Sequence, residues 1–186
     1  MAESDEQIVA RVLAGDTGAY RALVDRHGRG LHRLGYRMMA NAEDAEDVVQ
    51  ETFLRAFRQI RSFQQESTVR TWLYRIAANY CLDLIRSRKK VAPWPSAPAR
   101  EWEPAEDRPL PDRLAEMQMF QRRLASAMEE LTAQERAAFV LRHCEGQSIE
   151  AIAEALGVNS NAAKHSVFRA VRKLRVSLAP LMGVLA

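Results

Sequence analysis

An acidic cluster near residue 45 is the stretch whose side-chain types and spacing most resemble a metal or catalytic site. Five carboxylates fall within nine residues, with no basic residue among them: Glu43, Asp44, Glu46, Asp47 and Glu51. Carboxylates in such numbers can hold a divalent metal ion for hydrolysis. The neighbouring sequence supplies no nucleophile, no histidine and no phosphate-binding glycine loop. It therefore gives little support to a metal-dependent nuclease.

The spacing of these carboxylates instead favours a docking surface. A helix that begins at Asn41 accounts for acidic residues in its first turn, because the helix dipole stabilises negative charge there. It does not account for Glu51. Asp44, Asp47 and Glu51 recur at spacings of three and four, so they share one face of the helix. Because these carboxylates repel one another, the face predicts a basic partner surface. The opposite face is expected to enter the core with Val49, Phe53, Ala56 and Ile60.

The cysteines and histidines do not form a reactive or ligating pattern. Cys81 and Cys144 are far apart and have no CxxC or Cys/His ligand spacing, so neither a disulfide framework nor a zinc site is expected. We predict that both thiols lie in the core. His27 and His32 are flanked by arginines and are expected at the surface. The sequence thus predicts no catalytic residue, no metal and no cofactor.

Basic and aromatic residues alternate from residue 58 to residue 90. Only Glu66 and Asp83 oppose eight basic residues: Arg58, Arg61, Arg70, Arg75, Arg86, Arg88, Lys89 and Lys90. The interleaved aromatic residues are Phe63, Trp72, Tyr74 and Tyr80. This composition is typical of a surface that follows phosphates and stacks on unpaired bases. Core packing remains the expected role of each large aromatic ring by itself.

A short polar loop precedes the helix in this segment. Its residues are Phe63, Gln64, Gln65, Glu66, Ser67 and Thr68. Their amide, hydroxyl and carboxylate groups can hydrogen-bond the edges of a base that has left the stack. Ser67 or Thr68 is expected to cap the following helix.

The residues from 131 to 178 predict a helix-turn-helix. Thr132 and Glu135 form a capping box at the first helix, and Ser148 caps a short second helix that ends at Gly157. A third helix then starts at Asn159 or Ser160, after the few residues that this motif allows. It contains no carboxylate as far as residue 177, and its basic residues are Lys164, Arg169, Arg172, Lys173 and Arg175.

The third helix has one buried and one outward stripe. The buried stripe is expected to contain Ala163, Val167, Val171, Leu174 and Leu178. The outward stripe places polar residues where a recognition helix contacts bases in the major groove: Asn161, Lys164, His165, Phe168 and Arg172. The alternative is a solvated basic helix on a helical bundle, which the tight turn before it makes less favourable.

These elements predict an all-α chain of two small helical domains. Six of the seven prolines fall within residues 91–111, which we interpret as an extended linker between a domain of residues 1–90 and a domain of residues 112–186. The net charge is only +3, so the basic character is regional. No apolar run approaches the roughly 20 residues of a membrane span, and the acidic N-terminus is unlike a signal peptide. A cytoplasmic location is expected.

Four sequence blocks resemble the extracytoplasmic-function sigma factors, the two-domain initiation subunits of bacterial RNA polymerase. They are DAEDVVQETFLRAF (44–57), TWLYRIAANYCLDLIR (71–86), LTAQERAAFVLRHCEGQSIEAIAEALGV (131–158) and FRAVRKLR (168–175). The resemblance implies a sigma region 2-like domain followed by a helix-turn-helix, sigma region 4-like domain. It also implies core polymerase and promoter DNA as partners, and control by an anti-sigma factor.

The resemblance assigns residues to three surfaces. Docking on the clamp of the largest polymerase subunit, with flap contacts elsewhere, is implied for Asp44, Asp47, Val48, Gln50 and Glu51. Recognition and melting near minus 10 are implied for Arg58, Phe63, Gln64, Gln65, Glu66, Ser67, Thr68, Arg70, Trp72, Arg75, Asn79, Arg86 and Arg88. Reading of minus 35 is implied for Ser160, Asn161, Lys164, His165, Phe168, Arg169 and Arg172.

Two motifs depart from the family pattern, and two alternative functions are weaker. The family's GxxSFRTWL is QESTVRTWL here, and its GTVKSR is NAAKHS, so neither the flipped base nor a minus 35 consensus follows from the sequence. An autonomous helix-turn-helix regulator would need neither the acidic helix nor the arginine-aromatic segment. A sigma mimic that only binds proteins would not need the basic third helix.

Overall fold

The computed structural model describes residues 3–63, 67–91, 119 and 122–182, with the side chains of 89–91 and 180–182 excepted. Every regular element in these ranges is helical. The first half contains α1 (Asp5–Leu13), α2 (Tyr20–Met39), α3 (Ala42–Gln59) and α4 (Val69–Val91). Short 3₁₀ helices, Thr17–Ala19 and Ile60–Ser62, precede α2 and follow α3.

The second half is helical throughout its regular elements as well. Residues 122–129 form α5, and Ala133–Phe139 form α6, which continues as a π-helical turn over Val140–Cys144. The amide of Glu145 donates to the carbonyl of Val140, 3.1 Å away, and closes this wide turn. Ile149–Leu156 form α7 and Ser160–Met182 form α8.

The predicted helix starts at Asn41, Thr132, Ser148 and Asn159 are confirmed. Ser4 with Gln7 and Thr132 with Glu135 form complete capping boxes, in which each side chain accepts from the other residue's backbone amide. The side chains of Asn41, Ser148 and Asn159 cap α3, α7 and α8. Gly157 ends α7 at φ +63°, a left-handed conformation that costs glycine little.

Helices α2, α3 and α4 pack on one another and form the core of the first half. Gly35 of α2 lies against α3, and a Cβ at this position would be 3.1 Å from the Cα of Ala45 and 3.2 Å from the Cβ of Val48. The glycine therefore sets how closely the two helices approach. Because α3 is covered by both neighbours, its buried face is wider than the sequence predicted and also includes Thr52.

The two halves pack against each other. Helix α4 contacts both α6 and α7, and α2 contacts α6 and the π-helical turn. Buried apolar residues from both halves belong to one continuous cluster. The predicted linker, residues 91–111, lies outside the described residues from 92 onward, as does the predicted helix start at Asp112.

Two single-residue predictions were wrong. His27 is buried rather than exposed, because its Nε2 lies 2.8 Å from Asp5 Oδ2 on α1. Cys144 is exposed rather than in the core, because it ends the π-helical turn on the outer side. Cys81 is buried as predicted, and burial raises the pKa of its thiol to about 12.

Candidate docking and nucleic-acid surfaces

The exposed side of α3 combines acidic, amide and apolar side chains. We call it the α3 outer face, and its residues are Glu46, Asp47, Gln50, Leu54 and Phe57. Leu54 is 52% exposed and Phe57 is 41% exposed, although both are large apolar residues. They follow Gln50 by four and seven positions, so they continue its side of the helix. Sequence reasoning missed them, although this spacing could have revealed them.

The acidic residue Asp44 does not belong to this exposed face. It is buried, and Arg88 of α4 donates to both of its carboxylate oxygens, with Nη1 2.7 Å from Oδ2. The basic partner that the sequence predicted for Asp44 thus lies within the same chain. Val48 is fully buried between α3 and its neighbours. Asp44 and Val48 thus lie beneath the α3 outer face, while their implied contact with polymerase, and that of Arg88 with DNA, stay predictions.

Glu51 lies at the border between the α3 outer face and α4. Its Oε1 accepts from Arg55 Nε at 2.7 Å, a pair spaced one helical turn apart. The Arg55 guanidinium also lies over the Tyr80 ring of α4, 4.7 Å from its centroid. Burial, together with the nearby carboxylates of Glu51 and Asp47, raises the pKa of the Tyr80 phenol. The charge of Glu51 is therefore partly used within the chain.

A shallow open pocket adjoins the α3 outer face. Gly28, Arg29 and His32 of α2 line one side of it. Glu46, Val49 and Gln50 of α3 line the other. The pocket therefore adds a concave, accessible area next to the acidic residues. Its lining includes side chains of both charge signs.

The arginines and the asparagine that the resemblance implies for minus 10 DNA divide into three groups. Arg58, Asn79 and Arg86 are exposed, and Arg86 lies 3.5 Å from Asp83. Arg70 and Arg75 pair with carboxylates of the second half. Arg88 is committed to Asp44, as described above.

The aromatic pair before and within α4 is packed rather than open. Trp72 is 3% exposed, and Phe63 lies on it with ring centroids 4.9 Å apart. Trp72 is thus packed in the core beside Phe63, and its implied contact with DNA stays a prediction. Phe63 is half-buried, Ser67 is half-buried and Thr68 caps α4 through its hydroxyl. Gln64, Gln65 and Glu66 lie outside the described residues.

Helix α8 presents a basic face at its N-terminal half. Asn161, Lys164 and His165 are exposed, as are Phe168, Arg169 and Arg172, while Ser160 is half-buried. Phe168 is 64% exposed, an unusual position for a phenylalanine without a partner surface. The buried stripe contains Ala163 and Leu174 as predicted, and also Ser166 and Ala170. The Ser166 hydroxyl fits there because it donates to the carbonyl of Ala162.

Glu135 connects α6 to α8. Besides its role in the capping box, its carboxylate lies 3.2 Å from Arg169 Nε and 2.7 Å from Lys173 Nζ. Burial alone would raise the pKa of Glu135, but Lys173 and the Thr132 amide outweigh burial and lower it. Sequence reasoning found the capping box and missed these two ion pairs, which join residues more than 30 positions apart.

A second buried carboxylate, Glu145, joins the two halves of the chain. Its side chain is 2% exposed and lies 2.8 Å from Arg37 Nη1 and 3.4 Å from Arg70 Nη2. Gln147 Oε1 accepts from the Thr71 hydroxyl at 3.2 Å, and Glu154 pairs with Arg75. Burial, followed by the charge of Glu145, raises the pKa of the Tyr74 phenol.

Arg136 makes a further contact across the two halves. Its guanidinium is buried and donates to the carbonyl of Met38 at 3.0 Å and to that of Met128 at 3.1 Å. Met38 lies in the last turn of α2, where carbonyl groups lack helical partners and a cation is favoured. Burial lowers the pKa of Arg136.

Two other kinds of feature are absent from the part of the chain that the structure describes. They contain no group of three or more His, Cys, Asp or Glu residues that could hold a metal ion. Among the same residues, no helix is both long enough and apolar enough to cross a membrane.

Comparison with known protein families gives two matches along the chain. Residues 23–91 match the family model of Sigma-70 region 2, and residues 121–174 match that of Sigma-70, region 4. The first match covers α3 and α4, and the second covers α6, α7 and most of α8.

Curated relatives share this organisation. The chain is 36% identical over 182 residues to the ECF RNA polymerase sigma factor SigM of Mycobacterium tuberculosis, which covers 98% of this chain and 86% of SigM. It is also 36% identical over 157 residues to the ECF RNA polymerase sigma factor SigE of Mycolicibacterium smegmatis. That second match covers 84% of this chain but only 60% of SigE.

Solved structures have the same fold. CnrH, determined in complex with the cytosolic domain of CnrY, is similar with a TM-score of 0.69 and 28% identity, over 96% of this chain and 99% of CnrH. The sigma factor RpoE of Bartonella quintana, determined with the anti-sigma factor NepR, is similar with a TM-score of 0.66 and 24% identity. That match covers 86% of this chain and 96% of RpoE, and it supports the fold.

Proposed function

This chain belongs to the extracytoplasmic-function sigma factors of RNA polymerase, and from that premise we propose how its surfaces divide the work of transcription initiation. The protein directs core polymerase to specific promoters. It is not an enzyme, because polymerase carries out the chemistry. The observation that carries the proposal is that an acidic-apolar face on α3 and a carboxylate-free basic face on α8 are both exposed on one chain.

We assign polymerase docking to the α3 outer face. Asp47 and Gln50 supply polar contacts to a basic partner, and Leu54 and Phe57 supply apolar area beside them. An interface of this kind has an apolar centre and a charged rim, which gives both affinity and selectivity. Glu51 contributes at the border, where Arg55 already offsets part of its charge. Asp44 and Val48 support the face from beneath.

We assign minus 10 DNA to the side of α4 and the end of α3 that carry exposed basic and amide groups. Arg58 and Arg86 are placed to contact phosphates, and Asn79 can hydrogen-bond a base edge. Arg70 and Arg75 belong to the same surface, although both are paired with the second half here. Phe63 and Thr68 flank the loop whose centre, Gln64 to Glu66, would hold the flipped base.

We assign minus 35 DNA to the exposed N-terminal half of α8. Lys164 and Arg172 are suited to phosphate or guanine contacts, Asn161 to adenine and Phe168 to a thymine methyl group. His165 follows Lys164 on the same exposed half of the helix. Ser160 is at the helix start, where backbone amides favour a phosphate. Arg169 reaches the same surface while it is held by Glu135.

The proposal also includes a division into two domains and control by an anti-sigma factor. The domain division at residues 1–90 and 112–186 is supported by the two family matches, which fall on either side of residues 91–111. The sigma factor RpoE of Bartonella quintana was determined with the anti-sigma factor NepR. We propose that an anti-sigma factor controls this chain, and that this chain acts in the cytoplasm.

The docking assignment is tested by binding of the purified protein to core RNA polymerase. We expect tight binding by the wild type and a loss of at least about tenfold for Asp47→Arg, equal to about 1.4 kcal/mol. The matched control is Glu6→Arg, which reverses an exposed carboxylate on α1, outside the α3 outer face. Equal loss in both variants would contradict the assignment, and failure of folded wild-type protein to bind would contradict the function.

A further inference from the structure

Helix α2 is strongly basic, although neither the docking surface nor the DNA surfaces assigned above include it. Its 20 residues contain five arginines and a single carboxylate, that of Asp25. Three of the arginines recur at a spacing of four, and we call them the α2 arginine row: Arg29, Arg33 and Arg37. Like charges one helical turn apart repel each other and weaken a helix. The row therefore predicts a negatively charged partner.

The chain itself supplies only part of that partner. Arg37 is half-buried, and its Nη1 lies 2.8 Å from Glu145 Oε1. Arg29 and Arg33 are exposed, and neither pairs with a carboxylate in the part of the chain that the structure describes. Two cations of the row are therefore available to another molecule.

One end of the row adjoins α4. Glu145 lies between Arg37 and Arg70, with its Oε2 3.4 Å from Arg70 Nη2, so the two guanidinium groups are neighbours. The Arg70 guanidinium also lies over the Tyr74 ring, 5.2 Å from its centroid. The hydroxyl of Tyr74 lies directly against Gly30 of α2. The exposed side of α2 thus continues the surface of α4 to which we assign minus 10 DNA.

The other end of the row lies toward α3. Residues at a spacing of four turn by about 40° around a helix at each step, so the row crosses the exposed side of α2 obliquely. Arg29 lines the shallow pocket between α2 and α3, together with Gln50 of the α3 outer face. The row therefore leads from the minus 10 surface toward the face to which we assign polymerase docking.

The row has the length and composition of a surface that follows one nucleic-acid strand. Arg29 and Arg37 are eight residues apart, or about 12 Å along the helix, which is room for roughly three phosphates of one strand. Tyr36 is half-buried and lies one turn from Arg33, so an aromatic ring adjoins the cations. Arginines beside an aromatic ring suit an unpaired strand, because its bases are free to stack.

We propose that the α2 arginine row binds phosphates of the strand that leaves the minus 10 site unpaired, and guides this strand toward the polymerase docked on α3. Arg29 and Arg33 supply the phosphate contacts, since guanidinium groups can donate two hydrogen bonds to one phosphate. The inference rests on the proposed roles of α4 in minus 10 recognition and of α3 in docking.

The test is binding of labelled DNA to the holoenzyme assembled from core RNA polymerase and the full-length protein. The probe is a fluorescein-labelled pool of random-sequence duplexes, each with an unpaired central bubble. Arg29→Ala/Arg33→Ala should weaken binding and reduce the slope of log affinity against log salt by about 1.4, the value for two phosphate contacts on a single strand. Arg122→Ala/Arg123→Ala, on two exposed arginines of α5, is the charge-matched control and should leave the slope unchanged. An unchanged slope in the row variant, or an equal reduction in the control, would overturn the inference.

Two further measurements distinguish the unpaired strand from other partners. On the same pool without the bubble, the row variant should bind like the wild type. An equal loss on both pools would assign the row to duplex DNA and overturn the inference. The row variant should also keep the affinity of the wild type for core polymerase. A loss of that affinity, with DNA binding unchanged at saturating core polymerase, would assign the row to polymerase instead.

A reference variant separates failure of this inference from failure of the proposed function. Arg58→Ala/Arg86→Ala removes two exposed arginines of the assigned minus 10 surface, and it should also reduce the salt slope on the bubble pool. If only this reference variant reduces the slope, the inference alone fails. If neither variant reduces it, the minus 10 assignment fails as well.

Discussion

Arg88, near the end of α4, donates two hydrogen bonds to the buried carboxylate of Asp44 in the first turn of α3, with Nη1 2.7 Å from Oδ2. The pair joins α3, to which we assign polymerase docking, to α4, to which we assign minus 10 DNA. Both residues look like surface contacts in the sequence, and the structure makes both of them supports for the fold.

Loss of Arg88 should destabilise the fold. Arg88→Ala leaves Asp44 buried without this partner, and we expect a cost of about 1–2 kcal/mol, below the usual value for a buried pair because the Arg88 side chain is 39% exposed. Urea unfolding measures the change. Arg86→Ala, on an exposed arginine two residues away, should leave the stability within about 0.5 kcal/mol. Equal stability of the wild type and Arg88→Ala would contradict a structural role for the pair.

Gly30 and Tyr74 should be energetically coupled. A Cβ at Gly30 would lie 2.3 Å from the Tyr74 Oη but 3.4 Å from its Cζ. Gly30→Ala should therefore destabilise the wild type by about 1 kcal/mol through overpacking. In a Tyr74→Phe background the hydroxyl is absent, so the same change should be neutral or stabilising, as expected for alanine within a helix. A double-mutant cycle by thermal unfolding tests this, and an identical cost in both backgrounds would refute it.

Glu135 should make stability depend on pH. Because its pKa is lowered in the folded state, the ionised carboxylate stabilises the fold above its ordinary pKa of about 4.3. That contribution is lost as pH falls through the lowered folded-state pKa. At neutral pH we expect Glu135→Gln to cost about 1–3 kcal/mol, since Lys173 and Arg169 lose their partner. The difference between variant and wild type should shrink below about pH 4. Parallel pH profiles of the two urea midpoints would contradict the assignment.

DNA contacts made by charged residues of α8 should depend on salt, whereas those made by Phe168 should not. Lys164→Ala should reduce the slope of log affinity against log salt by about 0.9, the value for one phosphate contact. Phe168→Ala should weaken binding of the same duplex without changing the slope, because its side chain is apolar. Arg123→Ala, on an exposed arginine of α5, serves as the charge-matched control and should leave both quantities unchanged. The measurement is titration of promoter duplex at several salt concentrations.

Local features of this fold could be predicted from the sequence. Caps at Asn41, Thr132 and Ser148 depend on side chains that satisfy amides within three residues, and such contacts follow from spacing alone. The helix-turn-helix and the carboxylate-free α8 are local in the same sense. Likewise, an all-α chain follows from the helical spacing of apolar residues in each segment.

Features that depend on distant contacts could not be predicted in this way. Asp44 is separated from Arg88 by 44 positions, and Glu145 from Arg37 by 108. A charge pattern reveals which residues lie on one helix face, but not which neighbouring helix will neutralise them. For the same reason, the sequence placed Trp72 and Val48 on functional surfaces that packing has buried.

The most direct test of the central claim is transcription reconstituted from purified components. Core RNA polymerase with the purified protein would transcribe fragmented genomic DNA of the source bacterium, and the 5′ ends of the transcripts would be sequenced. The account predicts discrete start sites that share upstream elements, that are absent with core polymerase alone, and that are lost with Lys164→Ala/Arg172→Ala. Start sites identical to those of core polymerase alone, with a folded protein that is free of inhibitor, would contradict it.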